Sequence, residues 1–191
     1  ETVTLLKDAT GAGVVINKDI TIDFAGKTYT FNKTVGSAGT TTLGLQILKD
    51  NNVTLKNGTL TSTAVVAGKE VKMLIQNYAN LTLQDMNIVD ATEHILYALS
   101  NNCGETLLTG NTNITTDAVA FDSYKDKAYT APTVTVETTG KIAGKIEKSD
   151  DATIAITDGN DYIKNGLEYL RDNDPSTGLS AGNAASWINY H

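Results

Sequence analysis

Short runs in which apolar and polar residues alternate recur along almost the whole chain. Ile20-Thr21-Ile22, Val53-Thr54-Leu55, Leu81-Thr82-Leu83 and Val134-Thr135-Val136 each place apolar side chains on one face of an extended segment and Thr on the other. Asn-Gly, Asp-Gly and single Gly residues interrupt the runs too soon for helices. The runs themselves repeat. Residues 45–60 align without a gap on residues 73–88, so that Asn52, Thr54 and Leu55 meet Asn80, Thr82 and Leu83 at an offset of 28 residues. Looser copies run over 14–31, 95–114 and 119–142, and Ile146 with Ile154-Ala155-Ile156 begins a last, incomplete one.

Each copy holds about three short strands within roughly 24 to 33 residues, which predicts a parallel β-helix of about five to six coils. Identical residues one period apart then stack one strand spacing, about 4.8 Å, from each other. Thr21, Thr54 and Thr82 are expected to share one outer face, and Thr28 and Thr59 another. Past Asp158-Gly-Asn-Asp161 the period changes. Tyr162, Ile163, Leu167 and Leu170 have helical spacing, although Gly166 costs about 1 kcal/mol there relative to Ala. The expectation is a β-helix over 1–157, then a short capping helix and an extended tail over 158–191. The cap would shield a strand edge, and Trp187, Ile188 and Tyr190 would dock on this chain or on a neighbouring copy.

The segments TVTLLKD at 2–8, ITIDFAGKTYTF at 20–31, ILKDNNVTLKNGTL at 47–60 and LIQNYANLTLQDMNI at 74–88 resemble the right-handed parallel β-helices of the pectate-lyase-like class. More narrowly, they are similar to repetitive secreted or surface proteins of gut Firmicutes and of their phages, as is TVTVETTGKIAGKIEKS at 133–149. The resemblance spans most of 1–157. It implies a right-handed coil, an extracellular, cell-surface or virion location and an adhesin-like role, and it carries no catalytic residues with it.

Composition narrows the picture. Of 191 residues, 40% are hydrophobic, too many for a disordered chain. Thr and Asn together make up about a quarter. The net charge of -7 argues against nucleic acid as partner, and no apolar run reaches membrane-span length. One Cys excludes an internal disulfide, no Cys/His cluster offers a metal site, and no cofactor is expected. The chain starts at Glu1, which is compatible with a processed leader.

Pectate-lyase chemistry needs Ca²⁺-binding acids and a base, usually Arg, yet the single Arg, Arg171, lies beyond the coils. Glycoside hydrolysis needs two carboxylates at a fixed separation. The candidates are Asp85, Asp90 and Glu93, with Glu105, Asp117 and Asp122 in the following coils; the bland alternative is that all are solvated turn residues. His94 and Cys103 have no partner at a diagnostic spacing. The sequons at Asn32, Asn52, Asn57, Asn80 and Asn113 read better as stacked amide ladders than as glycosylation sites. The regular Thr faces suit a ligand, and ice binding is one option for them. Tyr78, Tyr97, Tyr124 and Tyr129 fall at or near turns and can line a side groove, while Tyr29 is expected to point inward. The leading expectation is a non-catalytic structural or adhesin-like module with a carbohydrate or protein ligand, self-assembling through its tail. A polysaccharide-degrading enzyme and a virion decoration or fibre protein remain alternatives.

Overall fold

The computed structural model describes residues 1–36, 41–63, 70–92, 94–125, 129–149 and 151–156, together with the backbone of two further strands at 167–171 and 185–190. The described residues are all-β, with 17 strands in one continuous, curled sheet and no helix.

Three rows of parallel strands run through it. The first row is β1 (Thr2–Thr4), β4 (Ile20–Asp23), the start of β7 (Asn52–Ser62), the start of β9 (Asn80–Val89), β11 (Glu105–Thr109), β13 (Thr133–Val136) and β15 (Thr153–Ile156). The second is β2 (Ala9–Ala12), β5 (Thr28–Lys33), the second halves of β7 and β9, and the starts of β12 (Asn113–Tyr124) and β14 (Ile142–Ser149). The third is β3 (Val14–Ile16), β6 (Leu43–Ile47), β8 (Met73–Asn77), β10 (Tyr97–Asn102) and the ends of β12 and β14. The chain visits the rows in the same order on every pass.

The repeat in the sequence is the register of the sheet. Asn52 pairs with Asn80, Val53 with Leu81 and Thr54 with Thr82. Between the rows lies the core, in which Leu55, Leu83, Leu108 and Val136 stack with none of their surface exposed. Asn57 (φ 61°), Asp85 (φ 53°) and Gly110 (φ 63°) turn the chain from the first row to the second in three successive passes. Left-handed backbone is cheap only for Gly and tolerable for Asn or Asp, which accounts for the residue types at this corner.

The expected capping helix is not formed where the structure describes it. Leu167–Arg171 is a strand, β16, paired antiparallel with β17 (Ala185–Tyr190), and β17 lies antiparallel on β14. The remainder of that prediction, 158–166, lies outside the described residues. A helix this short is marginal on its own, whereas a partner strand pairs the backbone groups along one edge of Leu167–Arg171. No described helix is long and apolar enough to cross a membrane.

Candidate functional site

The corners joining the third row to the first carry the most distinctive chemistry. In three successive passes they are formed by Lys49–Asn51, Tyr78–Asn80 and Cys103–Glu105, and with Tyr129 and Thr130 they line a depression of ≈ 330 Å³. A second depression of ≈ 410 Å³ continues over Thr82, Leu107, Thr133 and Thr135 and shares Asn80 and Glu105 with the first. Together they form one groove from a corner onto a flat strand face. The rings of Tyr78 and Tyr129 lie 6.4 Å apart at an interplanar angle of 51°, and Asn102 Nδ2 donates to the Tyr78 hydroxyl at 3.3 Å.

An internal amide pair holds this corner in shape. Asn77 and Asn101 are fully buried and stacked in register. Asn77 Nδ2 donates to Asn101 Oδ1 (3.0 Å), and Asn101 Nδ2 donates to the Gly104 carbonyl (2.8 Å). The Thr106 hydroxyl donates to Asn101 Oδ1 (2.9 Å) and accepts from Asn77 Nδ2 (3.1 Å), so an inward-facing polar residue is satisfied inside the core. A Cβ at position 104 would sit 2.5 Å from Asn77 Nδ2, so only Gly lets the chain pass there.

A second ladder runs along the outside of the same corner. Asp19 Oδ1 accepts from the Asn52 backbone N–H (2.7 Å) and from Asn52 Nδ2 (3.3 Å), and Asn80 Nδ2 donates to Asn52 Oδ1 (3.1 Å). Two more sequon residues also sit in amide contacts: Asn57 Nδ2 donates to Asp23 Oδ1 and Asn113 Nδ2 to Asn87 Oδ1.

The acids named from the sequence are not assembled into one site. Asp85 braces a corner by accepting from the Asn111 N–H at 2.8 Å, and Asp90 organises its loop through Thr92 and Thr116. Asp117 is exposed on β12, and Glu93 lies outside the described residues. Asp122 meets another carboxyl inside the sheet. It is 6% exposed and pairs in register with Glu147, 9% exposed, on β14. Burial first, then the charge of Glu147, pushes the Asp122 carboxyl up to about 8, and the Ser100 hydroxyl donates to its Oδ2 at 3.2 Å. Its Oδ1 is buried without a hydrogen-bond partner. Burial also raises Glu147, with the Tyr97 hydroxyl and Lys145 opposing, and burial raises Tyr97. Neither carboxyl lines the groove. Glu147 escapes a sequence reading because Ile146-Glu147-Lys148 looks like ordinary strand alternation.

The Thr columns form in register but are interrupted. Thr21, Thr54 and Thr82 are followed by Leu107 before Thr135, and Thr28 and Thr59 are followed by Asn87 and Asn113. Tyr29 packs edge-on to Phe31 at 5.2 Å and lines an apolar cavity of ≈ 180 Å³ between the rows at the amino-terminal end. His94 is exposed, and Cys103 lines the groove. Trp187 and Ile188 are register partners of Glu147 and Ile146, and Tyr190 of Leu167. No group of three or more His, Cys, Asp or Glu among the described residues is placed to hold a metal ion. Comparison with protein-family models, with curated proteins and with solved structures finds no match to this chain.

Proposed function

We propose that the chain is a non-catalytic, adhesin-like module working outside the cell or on a virion. In this reading its three rows wind as a right-handed parallel β-helix, and the corner groove holds a saccharide. The observation that carries the reading is the meeting of Tyr78 and Tyr129 with Asn80, Asp50 and Glu105 in one open groove. Aromatic faces take the apolar side of a sugar ring, while fixed amides and carboxylates take its hydroxyls. The interruptions at Leu107, Asn87 and Asn113 break the regularity an ice-binding face needs, and the first Thr column instead contributes Thr82 and Thr135 to the groove. Two-carboxylate hydrolysis by Asp122 and Glu147 is disfavoured, because that register pair is buried apart from the groove.

Titration calorimetry against a panel of neutral and charged oligosaccharides tests the assignment. Tyr78→Ala is expected to weaken binding of any saccharide hit by about tenfold or more, the order of one lost ring contact. A panel without a single binder, or a Tyr78→Ala protein that binds as the parent does, sinks it.

A further inference from the structure

The outer amide ladder has a direction, and the direction determines what its end accepts. A carboxylate has acceptors only. Asp19 therefore draws the Asn52 amide nitrogen toward itself and turns Asn52 Oδ1 to the next rung, where Asn80 Nδ2 donates to it. The same geometry turns Asn80 Oδ1 to the rung beyond. Its register partner there is Glu105, again an acceptor. An amide oxygen and a carboxylate, both acceptors, are thus in register where the two halves of the groove join, since Asn80 and Glu105 line both. Lys49, which also lines the groove, lies 3.8 Å from Asp50 in an ion pair of its own.

What satisfies such an end is a donor with several N–H groups, and the surroundings favour one with positive charge. With Lys49 paired to Asp50, Glu105 leaves the groove a net negative charge, and the two tyrosine rings offer faces that attract cations. We propose that the Asn80–Glu105 junction is a subsite for the protonated primary amine of an amino sugar, so that the groove selects de-N-acetylated hexosamine chains. The assignment rests on the saccharide reading of the groove. The ammonium donates to Asn80 Oδ1 and to Glu105 while its ring lies toward Tyr78 and Tyr129. An N-acetyl group has one N–H and no charge, and meets the junction with a methyl and a carbonyl instead.

The test is calorimetric titration of the intact chain with glucosamine tetramer and with its N-acetylated counterpart. The amine form is expected to bind at least about tenfold tighter, the scale of one charge-assisted contact. Glu105→Gln is expected to erase that preference. It also supplies an amide donor to Asn80 Oδ1, so its unfolding midpoint stays level or rises, which separates lost recognition from lost folding. If both tetramers bind equally and Glu105→Gln changes neither, the amine subsite is wrong while the saccharide groove stands. If neither tetramer nor any neutral saccharide binds, groove and subsite fall together.

Discussion

Stability is expected to fall as pH rises from about 5 to 8, and Asp122→Asn is expected to remove most of that fall. The folded carboxyl of Asp122 takes up its proton near pH 8, whereas an unfolded Asp does so near 4. Below about pH 4 both states are protonated and the contribution is fully present. Between about 4 and 8 the unfolded chain ionises and the folded one does not, so stability is lost at up to about 1.4 kcal/mol per pH unit. The ceiling is about 5 kcal/mol, and a measured loss of several kcal/mol fits the burial of Asp122. Glu147, raised by the same burial, pushes in the same direction. Glu1 and Asp23, both lowered, act the opposite way but only below about pH 5, outside this window. In Asp122→Asn the amide oxygen still accepts from Ser100, and no charge forms at high pH. Urea unfolding at pH 5, 6.5 and 8 is the measurement. Parallel pH dependence in both proteins would show that the carboxyl is not held neutral in the fold.

How much of this was legible depended on whether the period held. Between Asn52 and Asn80 the spacing is 28 residues, and there the repeat predicted the register residue by residue. Between Asn80 and Glu105 it drops to 25, and between Ser100 and Asp122 to 22, because the connections differ in length from pass to pass. Glu105 could therefore be named as an acid but not placed at the end of an amide ladder. Glu147 was invisible for a related reason: its register partners, Asp122 and Trp187, lie 25 and 40 residues away, and nothing in its own neighbours announces them. The end of the chain misled differently. Leu167 and Leu170 sit three apart, which a helix and a strand both allow, and the partner that decides between them begins at Ala185. A local pattern carries no information about a partner that far along the chain. Tyr78 and Tyr129, 51 residues apart, were recognisable as turn aromatics, but only the fold shows that they share a groove.

Asn101→Ala is expected to be among the most damaging single changes, and to damage the groove with the fold. Its carboxamide accepts from Asn77 Nδ2 and from the Thr106 hydroxyl and donates to the Gly104 and Thr133 carbonyls, all from a site with no exposed surface. Truncation leaves those donors and acceptors without that partner in the interior, where an unmade hydrogen bond costs about 1–3 kcal/mol. Bonds in such a network reinforce one another, so a total on the order of 3 kcal/mol or more is expected. The segment released is the Asn101–Gly104 corner, whose Cys103 sits at φ 67° and which forms one wall of the groove. Asn102→Ala is the informative comparison. It removes the bond to the Tyr78 hydroxyl and the contact with Cys103 Sγ while leaving the buried pair intact. The two neighbours should therefore separate: Asn101→Ala lowers the urea midpoint and saccharide affinity together, and Asn102→Ala lowers affinity with a stability change within about 0.5 kcal/mol. Were Asn101→Ala to cost less than about 1 kcal/mol, the internal amides would be fillers of the corner instead of the bonds that hold it closed.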